Sequence, residues 1–427
     1  MDVRLKPIDR IAGEIDMPGD KSISHRAAMI GAIAEGRTVA DNFLTGEDCI
    51  STVNAFKKMN VDIKIDAKKM IVEGVGLRGL KKPEGGLFLG NSGTTMRLIS
   101  GILAGQDFET TLSGDESLSQ RPMERIIDPL KLMGAKISSV EKNGRAPIKI
   151  KGNKLQAITY KTKVASAQVK SCILLAGLYT EGLTQVEEPF QSRDHTERML
   201  QLFGGDMKKD GLIVGVKSGG SLKGKKIVIP GDISSAAFFI VLATILKGSE
   251  LTIKSLGINP TRRRLIDVLI RMGADLKVTK IAQGFEPICD LTVRGSELKG
   301  TVVTEDEIPQ LIDEIPVLAV AAAQADGKTE IKGVRELKVK ETDRVASIVD
   351  NLKKMGVDIK TENDNILISG SRARFKPASL ESFDDHRTAM AMSVAALASE
   401  GGCVIKNTDC IDISFPGFFD ISNFVKR

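Results

Sequence analysis

The sequence predicts an α/β protein assembled from six related units and divided into two domains. Three observations predict it. A short polar head, an apolar helix and a terminal glycine or similar stop recur at intervals of roughly 65 to 80 residues. Between these helices runs a second, amphipathic family that closes on Met-Gly or Phe-Gly and leads into alternating strand residues. The stretch "DMPGDKS" at 16–22 returns as "VIPGDIS" at 228–234, three units later.

The first apolar helix opens in "GDKSISHRAAMIGAIAEG" at 19–36, where Ser22 or Ser24 is expected to cap it and Ala27 to Ala34 to propagate it. Its relatives are "GNSGTTMRLISGILAGQ" from Gly90, "SAQVKSCILLAGLYTEG" from Ser166 and "GDISSAAFFIVLATILKG" from Gly231. "DEIPVLAVAAAQADG" from Asp313 and "FDDHRTAMAMSVAALASEG" from Phe383 complete the set. Helices apolar nearly all round belong in a core. The amphipathic family reads "AFKKMNVDI", "PLKLMGAKI", "MLQLFGGDM", "VLIRMGADL" and "NLKKMGVDI", with the C-terminal "FFDISNFVKR" as a sixth candidate. Strand-like runs such as "KIVIPG", "ELTIKSL", "ILISG" and "GCVIKN" separate the helices. Each Pro-Gly pair ends a strand and reads as a crossover. Cutting at both gives one domain at 20–229, from repeats 1 to 3. The other joins 1–19 to 230–427, from repeats 4 to 6 with the N-terminal strand. Two crossings at one place make a hinge, and a ligand cleft is expected between the domains.

The bulk numbers narrow the function. The 427 residues are 42% hydrophobic and 27% charged, with no apolar run of membrane-spanning length, so no membrane partner is expected. "MDVRLKPIDR" lacks the apolar core of a signal peptide, and the cytoplasm is the expected compartment. Five scattered cysteines, no Cys-x-x-Cys pair and three histidines supply no metal motif, and neither metal nor cofactor is expected. The net charge of +6 comes from interspersed residues, and with no Trp and two Tyr a nucleic-acid stacking platform is poorly supplied. The positive excess fits a small acidic ligand.

The polar heads carry the chemistry. A first turn prefers acids, yet the first head gathers Lys21, His25 and Arg26, which suits a bound anion. Repeats 1 to 3 add Ser22, Asn91, Ser92, Gly93, Thr94, Arg97, Ser166 and Gln168, with no acid among the heads themselves but Asp20, and the loop "SLSQRPMER" adds Arg121 and Arg125. Repeats 4 to 6 mix signs: Asp313 and Glu314, then Lys340, Glu341, Asp343 and Arg344, then Asp384, Asp385, His386 and Arg387. One half is suited to hold an anion, the other to hold a second and to move protons. Each head has a plainer reading. The P-loop pattern is absent, Asp313 and Glu314 could serve a helix dipole, "KETDR" could be surface ion pairs, and Cys172 reads as a buried small residue. Recurrence of unusual heads at matched repeat positions favours a site.

"GDKSISHRA", "GNSGTTMRL", "QRPM", "SAQVKSCILLAGL", "KVKETDR" and "DDHRTAMA" resemble, in order and along nearly the whole chain, the motifs of the 5-enolpyruvylshikimate-3-phosphate synthase family. The resemblance implies two inside-out α/β domains, each of three βαβαββ repeats with the ligand cleft between them. It implies transfer of the enolpyruvyl group of phosphoenolpyruvate to the 5-hydroxyl of shikimate 3-phosphate, releasing phosphate, in chorismate and aromatic amino-acid biosynthesis. By the same resemblance Lys21, Ser22, Arg26, Ser166, Gln168, Ser192, Asp313 and Lys340 hold shikimate 3-phosphate. Lys21, Gly93, Arg121, Gln168, Arg344 and Arg387 hold phosphoenolpyruvate. Asp313 is assigned to the attacking hydroxyl and Glu341 to C3, with Lys21 as an alternative proton carrier and His386 in support. Ala167 in place of a second serine, and Ile413 before "SFP", resemble the second bacterial subtype. A monomer is expected. The rival readings are a UDP-N-acetylglucosamine enolpyruvyl transferase, whose reactive cysteine "LSGDESLSQRPM" lacks, and a non-catalytic anion-binding protein.

Overall fold

A computed structural model describes residues 1–420. The chain forms two compact units, Gly19–Ile229 and Met1–Pro18 with the chain from Pro230 onward. It passes between them at Pro18–Gly19 and Ile229–Pro230.

In Gly19–Ile229 each repeat builds one four-stranded sheet with the same pairing. In the second, Leu87–Phe88 runs parallel to Glu109–Ser113, which pairs antiparallel with Ile148–Lys151, and that strand with Lys136–Ser139. Thr159–Lys161, Leu183–Glu187, Ile213–Lys217 and Asp206–Asp210 repeat this order. In repeats 2 and 3 the strand before the first helix is parallel to the strand after it, and a hairpin completes the sheet. This is the βαβαββ pattern that the resemblance implies. The second unit repeats it in Val302–Val303, Gly327–Ile331, Asn365–Gly370 and Asp358–Glu362.

Two strands are exchanged. Ala12–Asp16, which precedes the first head helix in the chain, pairs parallel with Glu250–Gly257 of repeat 4. Lys226–Val228, which precedes the fourth, pairs parallel with Glu35–Asp41 of repeat 1. The matching Pro-Gly-Asp segments therefore follow strands that complete the other repeat's sheet. Proline, with no N–H to give to a ladder, ends both. The sixth sheet has three strands: Val3–Leu5 pairs antiparallel with Cys403–Lys406, which runs parallel to Ser379–Glu381. The sixth amphipathic candidate, "FFDISNFVKR", lies mostly outside the described residues.

The head helices are Lys21–Ile33, Gly93–Ala104 and Ala167–Gly177 in one unit, and Ile233–Ile245, Ile315–Ala323 and His386–Leu397 in the other. Every residue of Ile315–Ala323 is buried, as is every residue of Ile233–Thr244. Such helices have no polar side to show to water, so they form the middle of each unit, and each fully buried Ile, Leu or Phe contributes about 1.5–3 kcal/mol. The sheets lie outside them and alternate, as in Ile148–Lys151, where Ile148 and Ile150 are buried and Lys149 and Lys151 exposed. Close approach within the core needs a glycine: a Cβ on Gly101 would stand 2.1 Å from the Cys172 carbonyl oxygen. Cys172 is a fully buried core residue, its thiol pushed up by burial. Among the described residues, no helix is long and apolar enough to cross a membrane.

The first helix is capped differently from the expectation. Asp20, not Ser22 or Ser24, is the N-cap, accepting from the Ile23 N–H at 2.9 Å. Ser22 lies inside the first turn, and Ser24 Oγ accepts instead from the Leu44 N–H at 3.1 Å.

Candidate active site

In Gly19–Ile229 the three head helices begin on capping side chains: Asp20, then Ser92 accepting from Thr95 N–H at 3.2 Å, then Ser166 accepting from Val169 N–H at 3.4 Å. Lys21, the first helical residue, sets its Nζ 3.1 Å from Asp48 Oδ2 at the start of the helix Glu47–Lys58. Asp48 was not read from the sequence, although "GEDC" does place acids in a first turn.

His25 is not one of the cations. It is fully buried, and burial, then Lys21 and Arg26, hold its pKa well below 6.5, so the ring is neutral. Its Nδ1 lies 2.7 Å from Thr52 Oγ1, the Thr52 hydroxyl 2.6 Å from that of Thr95, and Thr95 2.7 Å from Ser92. A run of hydroxyls thus ties the first head to the second. Arg26 is 3% exposed and donates from Nε to Thr196 Oγ1 at 2.6 Å, from Nη2 to Ser171 Oγ at 2.9 Å and from Nη1 to the Ser22 carbonyl at 2.9 Å. Ser192 Oγ is buried with no hydrogen-bond partner among the described residues, a hydroxyl awaiting an acceptor or donor.

The second and third heads share a guanidinium. Arg97 Nη1 donates to Gln168 Oε1, and Gln168 Nε2 donates to Thr94 Oγ1 at 3.0 Å. Arg121 Nη2 donates to Asn91 Oδ1 at 2.5 Å, and Asn91 is held in turn by Asp115 at 2.8 Å. A Cβ on Gly93 would stand 3.1 Å from Nη1 of both Arg97 and Arg121. The bare glycine leaves room for two guanidinium groups beside a helix N-terminus, where positive charge and N–H donors can attract an anion.

The other unit gathers its acids on one arginine. Arg344, 1% exposed, donates from Nε to Asp385 Oδ2 at 2.8 Å, from Nη1 to Asp313 Oδ1 at 3.1 Å and from Nη2 to Glu341 Oε2 at 2.7 Å. Burial opposes its charge, but Asp385, Glu341 and Asp313 together raise its pKa above the ordinary value, and the guanidinium stays charged. The "KETDR" motif is thus no surface pairing. Asp385 also caps His386–Leu397, its Oδ1 accepting from the Arg387 and Thr388 N–H groups at 2.7 and 3.1 Å. Asp313 and Glu341 keep side-chain exposures of 19% and 20%, so both carboxylates are reachable. Arg387 is 4% exposed, and its Nε has no hydrogen-bond partner among the described residues. His386 is the first residue of that helix, and Lys340 is half-buried, just past the short helix Val334–Val339. Glu314 serves structure: it is 1% exposed, takes the Ser234 hydroxyl and lies 3.9 Å from Arg262.

Hydrogen bonds join the three heads of Gly19–Ile229, and in the other unit Arg344 joins Asp313, Glu341 and Asp385. One offers cations, hydroxyls and helix N-termini, the other an arginine spanning two reachable carboxylates. Among the described residues, no group of three or more His, Cys, Asp or Glu is arranged to hold a metal. Sequence reasoning passed over Asp48, Thr52, Asp115, Thr196 and the role of Asp385.

The fold matches that of the enolpyruvyl transferase NikO from Streptomyces tendae at 16% identity (TM-score 0.76, covering 99% of this chain and 97% of that one). The chain belongs to the EPSP synthase (3-phosphoshikimate 1-carboxyvinyltransferase) family, whose profile matches residues 5–421. It is 51% identical over 420 residues to a 3-phosphoshikimate 1-carboxyvinyltransferase of Thermoanaerobacter sp. (98% of this chain, 99% of the relative). It is 50% identical over 414 residues to that of Geobacillus thermodenitrificans (96% of each). The EPSP synthase structure from Acinetobacter baumannii superposes with a TM-score of 0.88 at 46% identity, covering 99% of this chain and 97% of that one. The likeness covers two inside-out α/β domains.

Proposed function

We propose that the chain transfers the enolpyruvyl group of phosphoenolpyruvate to the 5-hydroxyl of shikimate 3-phosphate and releases phosphate. The donor and acceptor follow from the family and the relatives' name. The observation that carries the mechanism is Arg344 holding Asp313 and Glu341 at 3.1 and 2.7 Å on its two terminal nitrogens. Two carboxylates at fixed spacing, both reachable, suit an addition in which one group takes a proton and another gives one.

Asp313 takes the proton of the attacking hydroxyl as oxygen bonds to C2. Glu341, in its acid form, delivers a proton to C3, which becomes a methyl, and is left as the carboxylate paired with Arg344, with Lys21 as an alternative carrier and His386 in support. Loss of a methyl proton and of phosphate then restores the double bond. Lys21, Ser22, Arg26, Ser166, Gln168, Ser192 and Lys340 bind shikimate 3-phosphate with Asp313. Lys21, Gly93, Arg121, Gln168, Arg344 and Arg387 bind phosphoenolpyruvate. Supporting this are the buried, unpartnered Ser192 hydroxyl and Arg387 Nε. Arg344 and Arg26 are held in place within the protein, Arg344 through Nε by Asp385 and Arg26 through Nε by Thr196. No metal or cofactor enters. The enzyme works as a cytoplasmic monomer on small molecules, not on nucleic acid or membrane.

The test is phosphate release by the full chain given both substrates, with each omitted in turn. Release that needs both supports the reading. No release from folded protein, or release only when UDP-N-acetylglucosamine replaces the acceptor, overturns it.

A further inference from the structure

Lys170 lies one turn inside the third head helix and is 1% exposed. Its Nζ stands 2.7 Å from Glu188 Oε2 and 2.8 Å from Glu197 Oε1, and those side chains are 3% and 11% exposed. Taking three ionised groups out of water costs several kcal/mol per ion, and an apolar side chain at the same place is often no less stable. Retaining the charges calls for another reason, and the contacts supply one.

Glu188 follows the strand Leu183–Glu187, and its second oxygen accepts the Ser166 N–H at 3.2 Å. Glu197 lies in the first turn of the helix His195–Phe203. The neighbours of Lys170 and Glu197 make a second bond between the same two helices: Ser171 and Thr196 share a hydrogen bond at 2.6 Å. That pair receives Arg26, with Thr196 Oγ1 at 2.6 Å from its Nε and Ser171 Oγ at 2.9 Å from its Nη2. The third head and the cation of the first therefore rest on one pair of helices, joined by Lys170.

We infer that Lys170 is a positioning residue. With Glu188 and Glu197 it forms a buried ionic clamp that fixes Ser166 and Arg26 where they receive the phosphorylated acceptor. This rests on the proposed function. Burial works against the ammonium, but Glu197 and Glu188 more than restore it, raising the lysine pKa above its ordinary value, so Lys170 stays charged at neutral pH. Gly93 and Arg121, assigned to phosphoenolpyruvate, make none of these bonds.

The experiment uses the full chain and begins with wild-type turnover, which tests the proposed function by itself. Lys170→Met is then expected to raise KM for shikimate 3-phosphate about tenfold or more while KM for phosphoenolpyruvate moves less than about threefold. Lys170→Arg, which can span both carboxylates, is expected to restore most of the acceptor KM. Because Lys170→Met strands two buried carboxylates, the triple variant Lys170→Met, Glu188→Gln, Glu197→Gln removes that strain, and the acceptor defect should persist in it. An unchanged acceptor KM in either folded variant, or equal rises for both substrates, overturns the inference. Failure of both variants to fold overturns it too, since the clamp is then a folding element.

Discussion

Arg344 donates through Nε to Asp385 Oδ2 at 2.8 Å, and the carboxylate that receives it is fully buried. This bond sets the arginine's direction, because Nε fixed at one end leaves Nη1 and Nη2 facing Asp313 and Glu341. The same carboxylate caps His386–Leu397. Asp385→Ala removes a cap worth about 1 kcal/mol and one partner of a buried ion pair. Breaking such a pair costs about 3–5 kcal/mol; the loss here should fall near the lower end, because Arg344 keeps two acids. Denaturant unfolding should show it, and the misdirected arginine should lower kcat as well. Asp385→Asn keeps an oxygen for the cap and should recover much of the stability but little of the turnover.

His25 makes stability depend on pH in a definite direction. The unfolded chain binds a proton near pH 6.5, while the buried ring in the folded chain does so only well below that value. Between those limits the unfolded state holds more protons, so stability is lost as pH falls below about 6.5. The slope approaches about 1.4 kcal/mol per pH unit. His25→Asn, which can still reach Thr52, should flatten the difference. Unfolding free energies of the two proteins, measured from pH 7.5 to 5, should converge as the pH falls; parallel curves would mean that the folded and unfolded chains protonate His25 alike.

Gly93 is expected to discriminate between the two anions. A methyl at this position meets Nη1 of Arg97 and of Arg121 at 3.1 Å, and both are ends of flexible side chains that yield by a few tenths of an ångström. Gly93→Ala should therefore leave the fold intact but move two guanidinium groups. KM for phosphoenolpyruvate should rise about fivefold to tenfold, roughly 1–1.4 kcal/mol, with the acceptor KM within about twofold. Equal effects on both substrates would mean that the glycine serves a different ligand.

The sequence shows the repeats because a helix apolar on every side, such as "AAFFIVLATI", has one possible place, and it recurs six times. It also shows the crossovers, since the Pro-Gly-Asp segments match. It places the N-terminal strand with repeats 4 to 6 but conceals its partner: nothing in "AGEID" says that it pairs with "ELTIKSLG" rather than with another strand of those repeats. Strand pairing is a long-range choice that local pattern does not encode. In the site, the polar heads are legible because they interrupt apolar periodicity. The partners of those heads are not. Asp48, Thr196 and Glu197 lie on ordinary-looking amphipathic helices, and only folding shows that Lys21, Arg26 and Lys170 point at them. His25 misleads for the same reason, since its charge is decided by burial, which a sequence shows only indirectly.

The two carboxylates on Arg344 should be separable by where each moves a proton. Asp313→Asn keeps an oxygen for Nη1 but removes the base, and kcat should fall about 10²–10⁴-fold while shikimate 3-phosphate still binds. Glu341→Gln should lower kcat on a similar scale through the step at C3. Turnover in deuterated water distinguishes them, because solvent deuterium enters the product's methylene only when protonation at C3 is followed by loss of a different hydrogen. If Glu341 delivers that proton, Glu341→Gln should depress deuterium entry relative to binding of both substrates. Near-normal turnover of Asp313→Asn with both substrates saturating would remove it as the base and leave Lys21, 3.1 Å from Asp48, as the next group to test.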